Sequence, residues 1–303
     1  MTVASRGNGA PRRAPLRALI PTLAAVFLTA CPRPFHVARP YPAPTAAKLG
    51  EALAARQRAV SSINARVRAT SWLGGDRVRA TVLMLVDRPG RLRFEAEVSL
   101  RGTVAVLATD GQRFAFLDTT QNELRRGPAC PANVASLIRI PLAPPDVAAI
   151  LLGDVRLPAP TGIAAGVVDW DPARAADVLA VRRNDGWLRV LFQRAGAEGA
   201  ARREDRVVGA VATGPDGHAR WRVSFEDFSE VSTSAASEGK GVVPVVVSLP
   251  GTIRFAQGET SFDEGVEIKF KERTLNELPD ANAFELRAPP GTTTAEVGCA
   301  PGP

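Results

Sequence analysis

The chain has 303 residues, of which 45% are hydrophobic and 23% are charged, and this composition excludes global disorder. Only two residues are His, so almost no imidazole is available for catalysis or metal binding. The formal net charge of +7 does not indicate a nucleic-acid partner, because residues 1–30 carry four Arg and no acid and the later basic residues do not cluster.

The first thirty residues have the organisation of an export signal. A basic stretch is followed by an apolar run over residues 18–30, which has the length of a signal-peptide core and is too short for a permanent membrane span. The run ends in Leu28, Thr29, Ala30 and Cys31, which resembles the bacterial lipobox. The sequence therefore predicts cleavage before Cys31 and acylation of that cysteine, for example with palmitate, which would anchor the mature chain to a membrane.

Residues 31–44 comprise the lipidated cysteine and a proline-rich tether. Five of the thirteen residues from Pro32 to Pro44 are prolines, which favours an extended polyproline conformation that holds the folded part away from the membrane. Pro32 is not the Asp that retains some lipoprotein classes at the inner membrane. We therefore expect a lipid-anchored protein of the cell envelope, at the outer membrane and facing the periplasm.

Two cysteines remain once Cys31 is set aside. Cys130 and Cys299 both lie in loop sequences rich in Pro and Ala, and the envelope is an oxidising compartment. An even number predicts one disulfide between them, with two free thiols as the alternative.

The body of the chain combines a few helices with many strands. Leu49, Leu53, Val60 and Ile63 recur at helical spacing and predict one amphipathic helix over residues 44–63, and shorter helices are expected at residues 133–139 and 144–152. Alternation of apolar and charged residues predicts strands. The predicted strands are residues 77–87, 91–98, 103–109, 113–118, 178–183, 187–195, 204–213, 219–231, 242–249, 252–257, 265–274 and 284–288.

Strands with one apolar and one charged face must bury the apolar face by curling around helices or a ligand. No linker follows residue 44, so we expect a single domain over residues 45–290 and a C-terminal tail over residues 291–303.

The order of these segments resembles the LolA/LolB-like superfamily, and in particular outer-membrane lipoproteins of the LolB-related type. The resemblance is carried by residues 91–102, 110–114, 141–154 and 223–228, with Val243 and Pro244. It implies a mainly β fold in which about ten or eleven strands form a single unclosed antiparallel barrel covered by helices. It also implies that the concave face accepts acyl chains and that Leu100, on a loop between two early strands, engages the membrane.

Period-two alternation identifies a set of side chains that share the apolar face. We expect this inward set to line a cavity for lipid or for the acyl chains of lipoproteins. Its members are Val82, Met84, Phe94, Phe116, Leu188, Phe192, Trp221, Phe225, Ile268 and Phe270.

Catalysis is not expected. His36 lies in the tether and His218 in a turn, no glycine-rich phosphate loop follows a strand, and no metal-ligand spacing occurs. The acids Asp169 and Asp171 are better explained as turn residues. The sequence predicts no cofactor, no metal and no nucleic-acid partner. The alternative to lipid binding is a non-catalytic scaffold or accessory lipoprotein of an envelope assembly, with an apolar face that packs entirely on itself.

A Cys31→Ser variant should lose acylation, because only the thiol can receive the diacylglyceryl group. Metabolic labelling with a fatty acid and membrane fractionation check this outcome. Unchanged membrane localisation of the variant would contradict the prediction that Cys31 is the anchor.

Overall fold

A computed structural model describes residues 37–73, 76–98, 102–195, 204–233, 245–277, 280 and 282–299. Cys31 and Leu100 lie outside these residues. The described helices are α1 (Ala46–Ala59), α2 (Pro131–Ile138), α3 (Pro144–Leu151), α4 (Pro160–Ala164) and a 3-10 turn (Phe262–Glu264).

The described strands are β1 (Ser62–Leu73), β2 (Asp76–Asp87), β3 (Arg91–Val98), β4 (Gly102–Thr109), β5 (Arg113–Asp118), β6 (Glu123–Pro128), β7 (Val167–Asp171), β8 (Ala176–Arg183), β9 (Gly186–Ala195), β10 (Glu204–Thr213), β11 (Ala219–Glu226), β12 (Ser229–Thr233), β13 (Val245–Leu249), β14 (Thr252–Gln257), β15 (Val266–Leu275) and β16 (Thr293–Glu296).

Fourteen of these strands form one sheet in the order β16, β6, β5, β4, β3, β2, β1, β15, β14, β11, β10, β9, β8, β7. All neighbours are antiparallel except β16 and β6, which are parallel. Strands β12 and β13 form a separate pair. The large sheet is curled and unclosed, with β16 and β7 at its edges, so the predicted mainly β half-barrel covered by helices is confirmed.

The curl follows from the alternation of side chains. In β3, Leu92, Phe94 and Ala96 are buried, whereas Arg91, Arg93 and Glu95 between them are half-buried. A sheet with one apolar face gains free energy by bending around the elements that cover this face.

Four helices cover the apolar face. Helix α1 begins after Thr45, whose hydroxyl accepts a hydrogen bond from the N–H of Lys48 at 3.2 Å, and it packs on α4, β10 and β13. Helix α3 packs on β2 and β3, and α2 packs on β4. As predicted, α3 carries Pro in its first turn and Gly just after its end, where Gly153 has a φ of +78°.

The prediction of a helix over residues 44–63 is wrong at its end. Helix α1 ends at Ala59, and Ile63 belongs to β1. Val60 and Ile63 continue the helical spacing by coincidence, but Ile63, Ala65 and Val67 are all buried and are two residues apart, the period of a strand. Strand β1 was therefore missed, although it pairs with β2 over twelve residues and with β15.

Other boundaries also differ from the expectations. Residues 219–231 form two strands, because the chain turns at Asp227, whose φ is +56°. Residues 284–288 form no strand, although Phe284 is buried. Strands β6, β7 and β16 were not predicted, and β16 brings part of the expected tail, residues 291–303, into the sheet beside β6.

The expected tether, residues 31–44, is not extended away from the fold over its described part. Residues 37–44, which we call the N-terminal strap, are held against β7 and β8. The described residues from Val37 to Cys299 accordingly belong to one compact unit. Polar side chains within the proline-rich segment find partners far away in sequence, which composition alone does not reveal.

A disulfide joins Cys130 and Cys299, whose Cα atoms are 6.0 Å apart. Cys130 is the N-cap of α2, and Cys299 follows β16. Closing a loop of 169 residues stabilises the fold by about 4 to 5 kcal/mol in the chain-entropy model. The bridge thereby connects a covering helix to the edge of the sheet.

Candidate functional site: the concave face and the contacts that close it

The inward set lies together on the concave face. Nine of its ten members are at most 9% exposed, and Phe270 is partly buried against the same cluster. These residues lie on six strands, β2, β3, β5, β9, β11 and β15, and on each strand alternation fixes the face once the register is set.

Register places these side chains in rows that cross the sheet. Met84 pairs with Phe94, which pairs with Leu107, which in turn pairs with Phe116. A second row joins Phe225 to Ile253 and Ile268. A third row joins Leu188 to Ala212 and Trp221, and Trp221 stacks on Phe255 at a centroid distance of 6.4 Å. The result is one apolar surface that extends from β2–β5 to β9–β15.

The helices fill the space in front of this surface. Leu49 and Leu53 of α1, Val134 of α2, and Ile150 and Leu151 of α3 are all buried in the same cluster. The interior is therefore packed side chain against side chain, and the expected acyl-chain site stays a prediction.

Four clefts of the described chain lie away from the inward set. One cleft of about 380 Å³ lies between α2 and strands β1, β14 and β15, and its lining includes Trp72, Arg139, Phe255 and Glu264. Three further clefts of about 380 to 460 Å³ lie at other places on the surface. None of these four is lined by a member of the inward set. The first cleft nevertheless reaches the interior, because Phe255 forms its wall and stacks on Trp221.

A buried ion pair fixes the end of α3. Asp154, just after the helix, is fully buried, and its Oδ2 accepts a hydrogen bond from Nη2 of Arg88. Arg88 also donates from Nε to the carbonyl of Val60 at 3.0 Å. Burial raises the pKa of Asp154 to about 6, although Arg88 and Arg56 favour the charged form. The pair connects α3 to the junction between α1 and β1.

A second arginine fixes the end of α1. Arg56 donates to the carbonyl of Ser248 at 2.5 Å and to that of Gly153 at 3.2 Å. The neighbouring Gln57 donates to the carbonyl of Val155 at 3.2 Å. We call the contacts made by Arg56, Gln57, Arg88 and Asp154 the helix latch, because they connect α1, the end of α3 and β13.

The N-terminal strap docks on the β7–β9 end of the sheet. Tyr41 donates its hydroxyl hydrogen to Oδ2 of Asp177 at 3.0 Å, and Nε of Arg39 lies 2.9 Å from Oδ1 of the same carboxylate. The Asp177 side chain is only 2% exposed. Asp177 pairs in register with Phe192, a member of the inward set. Arg39 and Tyr41 of the strap therefore contact a residue beside this set.

Aromatic contacts also hold the strap against the sheet. Trp170 donates from Nε1 to the carbonyl of Val37 at 2.7 Å and meets the Tyr41 ring edge to face. The guanidinium of Arg194 lies 3.7 Å from the centre of the Tyr41 ring. Burial and the hydrogen bond to Asp177 raise the pKa of Tyr41 to about 12. Tyr41 is therefore a neutral donor at every physiological pH.

The sequence did not identify the helix latch or the strap contacts. Asp154 lies directly after the end of a predicted helix. An isolated acid at that position is the one local feature of the sequence that could indicate the helix latch. The partners of Asp154 and Asp177 lie 66 and 136 residues away, so only the fold brings them together.

The remaining candidate residues carry no visible chemistry. His218 is exposed in its turn, and Oδ1 of Asp171 accepts the backbone N–H groups of Ala173 and Arg174. Within the described ranges, no group of three or more His, Cys, Asp or Glu side chains is arranged to hold a metal ion. None of the helices described here has both the length and the apolarity to cross a membrane.

Three solved structures illustrate what the fold is similar to. One is a domain from Vibrio parahaemolyticus, provisionally described as an outer membrane lipoprotein-sorting protein, with 9% identity and a TM-score of 0.49 over 78% of this chain and 95% of that one. A DUF1329 family protein from Desulfovibrio piger has 10% identity and a TM-score of 0.49 over 80% and 98%. A LolA superfamily protein from Nitrosomonas europaea has 12% identity and a TM-score of 0.45 over 80% and 99%.

The third structure bears the name of the superfamily that the sequence resembles. No protein-family model matches the chain, and no curated protein matches it. The functional argument therefore depends on the geometry of this chain.

The helix latch yields a stability prediction. An Arg88→Met variant leaves the Asp154 carboxylate buried without its nearest cation and should lose about 3 to 5 kcal/mol of unfolding free energy at pH 8. The folded pKa of Asp154 already lies above its unfolded value of about 3.9, and the substitution raises it further. The loss should therefore shrink as the pH falls from 8 to 5, where Asp154 binds a proton in both folded variants.

Urea unfolding at several pH values measures this effect. The matched control is the double variant Arg88→Met with Asp154→Leu, which removes both charges and should recover most of the loss at pH 8. A loss below about 1 kcal/mol, typical of a surface pair, or a loss independent of pH would show that the pair does not fix α3.

Proposed function

We propose that this protein is a bacterial envelope lipoprotein that binds lipid or acyl chains on the concave face of its half-barrel and takes part in lipid or lipoprotein handling. In this proposal acylated Cys31 anchors it in the outer membrane facing the periplasm, and Leu100 engages the membrane. Its partners are membrane lipid and the acyl chains of lipoproteins, and it is not an enzyme.

One observation carries the proposal: helices, three of them short, and the small β12–β13 pair cover a continuous apolar surface. Helices α2, α3 and α4 have eight, eight and five residues, and their N-cap residues make no side-chain capping hydrogen bond. Helices of this length are not stable alone and depend on the apolar surface that they cover. A ligand of equal apolarity can therefore replace them.

An acyl chain suits this surface better than a polar ligand. Val, Leu, Ile and Phe dominate the buried cluster. Each buried methylene of an acyl chain contributes about 0.8 kcal/mol, so a chain of sixteen carbons offers roughly 10 kcal/mol or more to offset the displacement of a covering helix. The cleft between α2 and β1, β14 and β15 is the entrance that we propose, because it already reaches Phe255 and Trp221.

The non-catalytic part of the proposal has its own support. The described histidine is exposed in a turn, and Asp171, at the end of β7, accepts backbone hydrogen bonds from Ala173 and Arg174. The two most buried carboxylates, Asp154 and Asp177, are engaged by Arg88, Arg39 and Tyr41. These are structural roles.

A second candidate function is a non-catalytic scaffold or accessory lipoprotein of an envelope assembly. The packing of α1, α2 and α3 onto the concave face favours it, because the inward set is already covered without a ligand.

Contact quenching by a brominated fatty acid tests the proposal. Bromine on stearic acid quenches tryptophan only at short range, and Trp221 belongs to the inward set whereas Trp187 is 44% exposed. Trp72 lines the proposed entrance, so the parent chain for this test begins at His36, carries Trp72→Phe and is free of detergent. In this chain, 9,10-dibromostearate should quench part of the fluorescence saturably. Trp221→Phe should remove most of the quenching, and Trp187→Phe, the matched control, should retain it.

Both substitutions keep an aromatic ring, so thermal unfolding should be little changed. Palmitate without bromine should restore the fluorescence by competition. Absence of saturable quenching in the folded parent chain, or equal quenching after Trp221→Phe, would favour the scaffold.

A further inference from the structure

The N-terminal strap connects the membrane anchor to one defined part of the sheet. Val37 donates its N–H to the carbonyl of Pro172 at 3.2 Å and accepts from the Trp170 indole. Arg39 donates from Nη2 to the carbonyl of Asp169 at 2.9 Å. The strap therefore contacts both β7 and the turn that leads from β7 to β8.

The buried carboxylate of Asp177 stabilises the contact between the strap and the sheet. Its side chain is 2% exposed and is engaged by Arg39 and Tyr41, both from the strap. Release of the strap would leave a buried charge without these two partners, which is costly in free energy. The docked arrangement is for this reason favoured over a free tether.

The number of residues between Cys31 and Val37 limits the distance between the proposed anchor and the docked strap. Val37 is six residues after Cys31, and a fully extended chain spans at most about 3.3 to 3.6 Å per residue. The link is therefore no longer than about 20 Å, whatever its conformation.

We propose that the docked strap holds the β7–β8 end of the sheet next to the membrane surface, with the turn over residues 172–175 facing the lipid headgroups. This inference depends on the proposed acylation of Cys31. The partner is the lipid surface itself. The strap thus acts as an orienting element, and the folded unit is not free to rotate on a long flexible tether.

Two exposed positions allow the orientation to be measured. Ala173 lies in the turn beside Pro172, and Lys271 is exposed on β15, which is six strands away from β7 in the sheet. Each can be replaced by p-acetylphenylalanine and spin-labelled at the ketone, which leaves Cys31 and the disulfide untouched.

The labelled full-length lipoprotein is placed in phosphatidylethanolamine and phosphatidylglycerol vesicles that contain a nickel-chelating lipid. Nickel at the membrane surface should relax the label at position 173 several-fold more than the label at position 271. A flexible Gly/Ser insert of about 20 residues after Pro34 raises the maximum reach to about 90 Å. With this insert, the relaxation of the label at position 173 should fall to that of the label at position 271.

A second variant removes the contacts between the strap and Asp177. Arg39→Gln with Tyr41→Phe removes the ion pair and the hydrogen bond to Asp177 while the anchor is retained. Its label at position 173 should also be relaxed less than in the parent protein, with unchanged vesicle binding. Equal relaxation at positions 173 and 271 in the parent protein, or no effect of the insert, would overturn the proposal.

The same preparation separates this inference from the proposed anchoring. Mass spectrometry of the N-terminal peptide reports whether Cys31 is acylated. If it is not, the proposed anchor is wrong, and the chain beginning at Cys31 is coupled through that thiol to a maleimide lipid. The coupled chain has the same link of six residues, so its two labels still decide whether the strap orients the sheet.

Discussion

The apolar concave face of the fourteen-stranded sheet must be removed from water, and this requirement determines most of the remaining structure. Rows of side chains such as Met84, Phe94, Leu107 and Phe116 run across neighbouring strands and leave no polar interruption. A second sheet could cover such a surface permanently, as in a sandwich. In this chain the cover consists of four helices and the two-stranded β12–β13 pair, and the strap docks on β7 and β8.

Polar contacts at the ends of the covering elements hold the cover in place. The helix latch uses Arg88 and the buried Asp154 at the end of α3, and Arg56 at the end of α1. The strap uses Arg39 and Tyr41 on the buried Asp177. Buried ion pairs add less net stability than apolar replacements would, but breaking one is costly, so they specify position. Apolar contacts supply the burial, and these few charges specify the positions of α1, α3 and the strap.

Local alternation was sufficient to predict the strands whose two faces differ. Strands β3, β9, β11 and β15 carry charges on one side and apolar residues on the other, and the inward set was assigned to the correct face. Strand β1 was missed because Val60 and Ile63 extend the helical spacing of Leu49 and Leu53 by chance. The period-two pattern of Ile63, Ala65 and Val67 was the signal that could have corrected the helix boundary.

The contacts that close the site could not be predicted from sequence. A proline-rich segment is typical of a solvated tether, and the docking of Tyr41 depends on a carboxylate 136 residues later in the chain. Alternation likewise indicates that a face is buried but not what buries it. The inward set was expected to surround a cavity, whereas α1, α2 and α3 occupy that space.

Native mass spectrometry of the folded unit gives the most direct test of whether this interior accepts acyl chains. The chain beginning at His36 is directed to the periplasm, purified without detergent and sprayed under non-denaturing conditions. The account predicts a second species, heavier by the mass of an acyl-bearing molecule, which disappears after extraction with organic solvent. A single species at the mass of the polypeptide, unchanged when fatty acid is added, would contradict it.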